Sequence, residues 1–371
     1  MLIQNAKAFI DGKFQEKTDL LIRDGRISAI GTGLAAEGEE LLDLGGDLLL
    51  PGFVDVHIHA FKGMDTMQGE EAVRHMSREL KKVGVAAFLP TTMSASPEDT
   101  VKALAGVKAV MERPEPDGAI VLGAHMEAPF LAEAKAGAQL KQYFADPNEE
   151  NWQRYTCGLE SVVRLITMAP ERAGAMEFIS ALTKKGITVS IGHTTADAET
   201  THAAAEAGAT HVTHTFNAQT PLNHRAPGVP GAALVDDRLQ CEVISDGIHL
   251  HPDIVKLIIR TKGKEKLVAI TDAMEAAGMP DGQYQLGGQE VFVHEGAARL
   301  KDGTLAGSTL TMIRAFQNLI RFGATPEDAA LMTTKSPALS IGNEELGEIE
   351  LGAPAIFSRF DENYAFKGTV G

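Results

Sequence analysis

The sequence predicts an α/β fold in which eight parallel strands alternate with helices and close into a barrel, beside a small β module. Three observations support this prediction: eight apolar β-like runs in the middle of the chain, helical patterns between most of them, and strand-and-turn patterns at both ends. Strands that alternate with helices are typical of parallel sheets, and eight of them over roughly 290 residues favour a (β/α)₈ TIM barrel. A doubly wound open sheet is the alternative, because the number of runs alone does not prove closure.

The first 50 residues predict short strands joined by tight turns. Asp11-Gly12 and Asp24-Gly25 are hairpin signals between apolar residues, and Leu48–Leu50 precede the strong break at Pro51-Gly52. The stretch from Gly347 to Gly371 is β-rich again. We therefore expect the two ends of the chain to meet in one small sheet module.

The middle of the chain supplies the strands and helices of the barrel. The apolar runs cover residues 53–59, 85–91, 119–126, 161–168, 187–193, 210–215, 240–246 and 266–272. Helical patterns cover residues 70–83, 97–111, 171–184, 197–207 and 252–262, and further helices are expected after Thr309 and Thr325. Pro97 and Pro252, each followed by acidic residues, are typical of helix starts.

Composition and charge exclude several classes of function. The chain is 44% hydrophobic and 23% charged, as expected for an ordinary soluble enzyme. Its net charge of −16 argues against a nucleic-acid or anionic-membrane partner, which would need clustered lysines and arginines. Cys157 and Cys241 have neither metal-type nor redox-type spacing, and no signal peptide or membrane span is evident, so we expect a cytoplasmic protein.

Residues able to bind a metal lie at the ends of the predicted strands. His57 and His59 end the first run, and because residues two apart on a strand share a face, both imidazoles can converge on one ion. Four more runs end in such a residue, namely Glu127, His193, His214 and Asp272. Singly, each has an ordinary explanation, such as helix capping by His193 or Asp272. Together, at the edge where barrel enzymes place catalytic groups, they predict a divalent metal site of Zn, Fe, Mn or Co.

Such a site favours hydrolysis of an amide, an ester or a related bond. A divalent ion lowers the pKa of water and polarises a carbonyl group. Asp272 suits the role of the carboxylate that takes the proton from water and returns it to the leaving group. His249, just past the seventh run, is a candidate donor of a hydrogen bond to the developing oxyanion, although a solvent-exposed loop histidine is equally compatible with the sequence.

With these residues and the motifs around them, the sequence resembles the N-acetylglucosamine-6-phosphate deacetylases of the amidohydrolase superfamily. The resemblance extends from about residue 2 to 352 and rests on the motifs PGFVDVHIH, HMEAPF, GHT, THTFNAQTPLNHRAPG, SDGIHLHP, TDAM and LAGSTLTM. It implies a deacetylase that releases acetate from N-acetylglucosamine 6-phosphate in amino sugar catabolism. It also implies a small β-sandwich of residues 1–50 and 345–371 beside a barrel of residues 51–344.

The resemblance also implies roles for particular residues. Glu127, His193 and His214 would hold the principal metal, and His57 and His59 a second one, which gives one or two ions per subunit with Asp272 at their side. Asp272 would be the acid and base, and His249 would polarise the carbonyl. The phosphorylated sugar would be bound by Asn217, Ala218, Gln139, and Arg225 from a neighbouring subunit, which implies a homodimer or a higher homo-oligomer.

Three departures from the family pattern concern the substrate and the tail. Ala128 replaces a common glycine, and Gln139 replaces a histidine that helps hold the sugar, so a neutral amide stands where a titratable ring is usual. The tail lacks the usual Ala-Asp-aliphatic strand. The insertion 128–160 is a candidate substrate-covering loop, although its aromatic residues are equally compatible with packing on the barrel.

Two other classes of function stay open at this stage. Another amidohydrolase, of the dihydroorotase or D-aminoacylase type, is the nearest alternative, but many of these use a carboxylated lysine on the fourth strand. The fourth run, VVRLITMAPE, has no lysine. A non-catalytic assembly protein of the same shape is the second alternative, which the presence of all the candidate ligands disfavours.

Overall fold

The computed structural model describes residues 1–35 and 38–371. Its strands, in chain order, are β1 (Leu2–Ile10), β2 (Lys13–Arg23), β3 (Arg26–Gly31), β4 (Leu41–Asp43), β5 (Leu48–Pro51), β6 (Phe53–Ile58), β7 (Ala60–Phe61), β8 (Met64–Asp65), β9 (Val85–Thr92), β10 (Ile120–Val121), β11 (Ala124–Met126), β12 (Val163–Met168), β13 (Thr188–Ile191), β14 (His211–Val212), β15 (Gln240–Ile244), β16 (Leu267–Ile270), β17 (Gly282–Leu286), β18 (Gln289–His294), β19 (Ala297–Arg299), β20 (Phe357–Phe360) and β21 (Phe366–Val370). Its α-helices are α1 (Glu70–Lys82), α2 (Pro97–Glu112), α3 (Glu149–Thr156), α4 (Ala175–Lys184), α5 (Ala198–Ala207), α6 (Gly228–Val235), α7 (Pro252–Lys266), α8 (Met312–Arg321), α9 (Pro326–Thr333) and α10 (Lys335–Ser340).

Eight parallel strands form the barrel, in the order β6, β9, β11, β12, β13, β14, β15 and β16. A parallel bridge between Ile58 and Ala273 brings the last strand back to the first. The strands are buried almost throughout, as expected for a parallel sheet covered by helices outside and filled with side chains inside. Each of the eight predicted runs contains or overlaps one barrel strand. The barrel prediction is confirmed, and the open-sheet alternative is wrong.

The helices begin where capping residues satisfy their first backbone N–H groups. The Ser96 side chain accepts a hydrogen bond from the backbone N–H of Asp99 at the start of α2, and Thr325 does the same for Asp328 at the start of α9. The helix predicted over 171–184 begins only at Ala175. Within the described residues, no helix combines the length and apolarity that a membrane span requires.

The two ends of the chain meet in a second sheet of seven strands. β20 pairs antiparallel with β5 and with β21, while β1 pairs with β2 on one side and with β4 and β5 on the other. The sheet has its own apolar cluster, to which residues from both ends contribute, among them Ile3, Leu20, Leu49 and Phe357. The expected meeting of the terminal segments is therefore confirmed. The tail forms two strands although it lacks the usual motif, and the domain boundaries stay predictions.

A three-stranded antiparallel sheet of β17, β18 and β19 was not anticipated. It follows β16 in the chain and packs on the barrel through a third apolar cluster, which includes Met93, Met274, Leu286 and Val291. The signal for it was short but present, since Gly287-Gly288 separates two stretches of strand-like residues. The three-stranded sheet matters for function because Leu286 lines the cavity at the carboxyl ends of the barrel strands, described below.

The insertion 128–160 has two different parts. Phe130 and Trp152 are fully buried and contact the ring of Phe178 on α4, so these aromatic residues pack on the barrel. Ala134 to Gln139, by contrast, include residues that line the cavity at the strand ends. Packing thus explains the buried aromatic residues of the insertion, while its middle part borders the site.

Candidate metal centre and active-site cavity

The predicted metal ligands converge at the carboxyl ends of the barrel strands. His57 lies on β6 and His59 directly follows it, while Glu127 directly follows β11. His193, His214 and Asp272 each stand two residues beyond a strand, with φ angles of 46°, 28° and 50°. Residues other than glycine rarely adopt this left-handed backbone conformation. It costs about 1–3 kcal/mol per residue and is concentrated at functional sites. The fold therefore holds three of these residues in strained positions that aim them into the barrel mouth.

One half of the cluster consists of Glu127, His193 and His214. Glu127 Oε1 lies 3.1 Å from His193 Nε2 and 3.0 Å from His214 Nε2. The two ring nitrogens are 3.1 Å apart. All three side chains are buried. We call this set the first half of the cluster.

The second half consists of His57, His59, Glu127 and Asp272. Glu127 Oε2 lies 3.2 Å from His59 Nε2, and Asp272 Oδ1 lies 3.2 Å from the same nitrogen. His57 Nε2 is 3.3 Å from His59 Nε2 and 3.5 Å from Asp272 Oδ1. Glu127 is thus common to both halves: Oε2 lies toward His59, while Oε1, which contacts His193 and His214, is also 3.5 Å from His57 Nε2.

The donor set fits a divalent metal ion. Two ligands about 2.1 Å from one ion lie about 3.4 Å apart in a tetrahedral arrangement, close to the separations of the ring nitrogens in each half. Within each of the sets His57–His59–Glu127 and Glu127–His193–His214, the ligand atoms lie within 4.8 Å of one another. Imidazole and carboxylate donors suit Zn, Fe, Mn and Co alike. The cluster therefore fits a divalent metal site without selecting the metal.

Hydrogen bonds at the far side of the rings orient three of the four histidines. His193 Nδ1 is 2.8 Å from the carbonyl oxygen of Lys135, and His59 Nδ1 is 3.3 Å from that of Thr91. His57 Nδ1 is 3.1 Å from Glu242 Oε2. An oxygen at Nδ1 fixes the hydrogen there and leaves the Nε2 lone pair for a metal. Glu242 was missed in the sequence, although it is a charged residue within the apolar run CEVI.

Opposite charges neutralise one another within the cluster. Burial opposes ionisation of Glu127, but the neighbouring His57 and the hydrogen bonds from the other imidazoles hold its pKa well below the usual range. Burial likewise lowers the pKa of His59, but Asp272 and Glu127 overcome it and raise the pKa to about 10. The pKa of Asp272 is lowered because His57 and His59 outweigh the effect of burial. The site thus stabilises ionised carboxylates beside positive charge.

A cavity of about 330 Å³ opens above the cluster. This volume lies at the lower end of the usual range for small-molecule sites. The predicted site residues that line it are His59, Glu127, Gln139, His193, His214, Asn217, Ala218, His249 and Asp272. His57 lies beneath the lining and is fully buried. Lys135 is the only lysine or arginine among the lining residues that the structure describes.

His249 is buried and held by a carboxylate that sequence reasoning overlooked. Its Nδ1 lies 2.6 Å from Asp246 Oδ2, and Asp246 also accepts the backbone N–H of His249. Burial lowers the pKa of His249, but the hydrogen bond to Asp246 and the charges of Asp246 and Asp272 raise it above its ordinary value. The hydrogen on Nδ1 is donated in a hydrogen bond to Asp246, so in the neutral ring Nε2 carries no hydrogen. Nε2 carries one only in the imidazolium form. The raised pKa favours that form.

Gln139 and Arg225 are placed very differently. The side-chain amide of Gln139 donates to Glu127 Oε2 at 2.5 Å, and its oxygen accepts the backbone N–H of Ser94 at 2.7 Å. Gln139 is therefore in contact with a candidate metal ligand as well as with the cavity. Arg225 is exposed on the loop 221–227 and does not line the cavity of its own chain.

The sequence matches the model of the amidohydrolase family over residues 48–368. It is 36% identical over 374 residues to the N-acetylglucosamine-6-phosphate deacetylase of Lysinibacillus sphaericus, covering 100% of this chain and 96% of that relative. It is also 36% identical to the N-acetylgalactosamine-6-phosphate deacetylase of Escherichia coli O157:H7, covering 91% of this chain and 88% of that protein.

The fold is similar to that of solved deacetylases. The structure of a mutant N-acetyl-D-glucosamine-6-phosphate deacetylase from Mycobacterium smegmatis, in complex with N-acetyl-D-glucosamine-6-phosphate, matches with a TM-score of 0.92 and 31% identity. The match covers 100% of this chain and 97% of that one. The similarity therefore includes the barrel and the sheet formed by the chain ends.

Proposed function

The chain belongs to the amidohydrolase family, and from this premise we propose that it deacetylates N-acetylglucosamine 6-phosphate to glucosamine 6-phosphate and acetate. The observation that carries the proposal is the shared cavity: a metal-ligand cluster, the carboxylate of Asp272 and the imidazole of His249 all face one volume of about 330 Å³. Amide hydrolysis needs activation of water, transfer of its proton and stabilisation of an oxyanion. These residues offer a group for each task.

In this proposal Glu127, His193 and His214 would hold the principal divalent ion, and His57, His59 and Glu127 would hold a second. The ion supplies a Lewis acid that activates water and polarises the acetamide carbonyl. We assign Zn, Fe, Mn or Co on the donor types alone. The shared carboxylate keeps the two halves adjacent, so that occupation of one half affects the other through Glu127.

Asp272 transfers the proton in the proposed reaction. Its pKa is lowered by His57 and His59 against the effect of burial, so it is ionised and able to accept the proton of the attacking water at neutral pH. The same proton then passes from the carboxyl group to the sugar nitrogen as the C–N bond breaks. The oxygen of water thus bonds to the acetyl carbon. One hydrogen of water goes to the sugar nitrogen through Asp272, and the other leaves with the acetic acid, which then ionises to acetate.

His249 stabilises the carbonyl oxygen. Held by Asp246 through Nδ1, the imidazolium presents Nε2–H to the cavity that Asp272 also lines. A hydrogen bond of this kind strengthens as the carbonyl oxygen becomes negative, and removal of one such donor typically slows a reaction about 10²- to 10³-fold.

The phosphate of the substrate needs positive charge that an acidic protein must provide locally. We assign its binding to Asn217 and Ala218 of this chain and to Arg225 of a second subunit, because Arg225 is exposed and outside its own cavity. Lys135 at the cavity wall adds a further cation. This assignment requires a homodimer or a higher homo-oligomer, and the cytoplasmic location likewise stays a prediction.

N-Acetylgalactosamine 6-phosphate is the second candidate substrate. The Escherichia coli relative named for it is as similar in identity as the Lysinibacillus sphaericus relative named for the glucosamine compound. The alternative amidohydrolase types are less favoured, because β12, the fourth barrel strand, contains no lysine that could be carboxylated. Glu127, which belongs to both groups of candidate ligands, would be the shared ligand instead.

Acetate release tests the proposal. The purified protein, with its metal content measured, is assayed on N-acetylglucosamine 6-phosphate, N-acetylgalactosamine 6-phosphate and unphosphorylated N-acetylglucosamine. We expect the first to be fastest and the unphosphorylated sugar to be poor, with Asp272→Asn slower by about 10²- to 10⁴-fold at unchanged fold. A faster reaction with the galactosamine compound would reassign the substrate, and no release from a metal-loaded, folded protein would refute the deacetylase function.

A further inference from the structure

Glu242 is a fully buried carboxylate inside the barrel that the proposed reaction does not use. It lies on β15, whose residues 241–244 are buried, and β15 pairs with β14 and β16 on its two sides. Glu242 itself is 0% exposed, and its neighbours in sequence, Cys241 and Val243, are buried on the opposite face of the strand. A carboxylate in such a place is destabilising unless opposite charge and hydrogen bonds compensate it.

One oxygen of Glu242 reaches both halves of the metal cluster. Oε2 accepts a hydrogen bond from the ring of His57, with 3.1 Å to Nδ1, and lies 3.3 Å from the backbone nitrogen of His214. Oε1 has no hydrogen-bond partner among the residues that the structure describes. The ring of His57 is therefore the only side chain that compensates this carboxylate by a hydrogen bond in the described part of the chain.

The contact distinguishes His57 from the other candidate ligands. His59 and His193 are oriented by neutral carbonyl oxygens, those of Thr91 and Lys135. Among the cluster histidines, and within the described residues, only His57 has a charged partner at Nδ1, since Nδ1 of His214 has no hydrogen-bond partner there. A carboxylate at Nδ1 makes the ring a more basic ligand than a carbonyl does. His57 belongs to the second half of the cluster, so the extra basicity acts at one of the two sites.

We infer that Glu242 is a positioning residue that sets the occupancy of the second metal site, formed by His57, His59 and Glu127. Its carboxylate holds the hydrogen of His57 on Nδ1, aims the Nε2 lone pair at the second site, and supplies the negative charge that a second cation needs in a buried place. The inference rests on the proposed metal-dependent function and deepens it, because it names the residue on which the number of bound ions depends.

Metal binding to the metal-free protein tests this role without any substrate. Wild type and Glu242→Gln are titrated with Co²⁺, followed by its visible absorption and by metal analysis of the protein after gel filtration. We expect two equivalents in the wild type. In Glu242→Gln one equivalent binds as before, and the affinity for the other falls about 10- to 100-fold, the usual effect of losing such a partner.

Two further variants keep the test specific. Glu242→Leu removes the hydrogen bond as well as the charge, so it is expected to weaken the second equivalent further. Asp236→Asn is the matched control, because Asp236 is a buried carboxylate that lies 2.8 Å from a histidine ring nitrogen, that of His202, outside the cluster. It is expected to leave both equivalents unchanged. Circular dichroism and thermal unfolding establish that each variant is folded.

Several results would overturn the inference. Unchanged binding of both equivalents in Glu242→Gln and Glu242→Leu would remove Glu242 from metal binding. Equal weakening of both equivalents would reveal a general structural role, exerted through the backbone of His214. A wild type that binds a single equivalent would leave no second occupancy to control. The titrations contain no substrate, so their result does not depend on the deacetylase assay. Failure of that assay would therefore refute only the proposed reaction.

Discussion

The two halves of the metal cluster share Glu127 but are held in place by different means. In the first half, His193 and His214 stand on turns with left-handed backbone conformations, and a backbone carbonyl orients His193. In the second half, His57 lies on β6 and His59 directly follows it, neither has a positive φ angle, and the buried carboxylate of Glu242 orients His57. The first half thus depends on the course of the backbone and the second on a buried charge. Side-chain substitutions should therefore separate the two halves.

Loss of the shared carboxylate should affect both halves of the cluster alike. We expect it to reduce metal binding and acetate release more than any other substitution considered below. Glu127→Gln leaves a neutral amide where both halves need an anionic ligand, so we expect neither ion to be retained. Acetate release should fall at least about a thousandfold, because polarisation by a metal ion contributes several kcal/mol and about 1.4 kcal/mol corresponds to a factor of ten. Metal content and kcat/KM, measured on the same preparation, check this.

His57→Asn is the control for that experiment, since it removes a candidate ligand of the second half and leaves Glu127, His193 and His214 in place. It should retain one equivalent of metal and lose less activity than Glu127→Gln. If Glu127→Gln kept two equivalents, or if both variants lost metal equally, Glu127 would not be the ligand common to the two halves.

A carboxylate also orients His249, so the comparison extends to a residue outside the metal cluster. In the wild type the imidazolium form of His249, whose pKa Asp246 raises, is fully present below the ordinary pKa and is lost as the pH rises through the raised one. Asp246→Asn should lower the pKa of His249. The alkaline limb of kcat/KM should then move to lower pH, and kcat/KM near neutrality should fall about 10- to 100-fold, less than the 10²- to 10³-fold of removing the donor outright.

The full pH profile of kcat/KM for Asp246→Asn, with His249→Ala beside it, provides the measurement. His249→Ala should be slow at every pH and lack the limb that Asp246→Asn shifts. A profile of Asp246→Asn that coincides with the wild type would show that Asp246 only supports the loop.

The sequence was sufficient for the features that depend on local periodicity. Apolar runs predicted all eight barrel strands, and the two-residue spacing of His57 and His59 predicted that their rings share a face. Contacts between segments far apart in the sequence could not be predicted. Glu242 lies 185 residues from His57, and only the closed barrel brings the first and seventh strands near each other across its interior. The contact of Gln139 with Glu127 depends on a loop path that no periodicity encodes.

Gln139 provides the most delicate test, because it is the neutral counterpart of Glu242. Its amide donates to Glu127 Oε2, the oxygen directed to His59 and the second half, and carries no charge. We therefore expect Gln139→Ala to weaken the second equivalent of Co²⁺ by about tenfold or less, at the lower limit for partners of metal ligands and below the effect of Glu242→Gln.

The same variant separates two roles for Gln139, which also lines the cavity and was predicted to bind the sugar. A rise in KM at unchanged metal affinity would assign it to the substrate, whereas weaker metal binding at unchanged KM would assign it to Glu127. Gln139→Glu sharpens the result, because a second carboxylate beside Glu127 repels it unless a cation lies between them. If Gln139→Ala weakened the second site more than Glu242→Gln does, the buried charge would not be what distinguishes the two halves, since a neutral contact would then contribute more than a charged one.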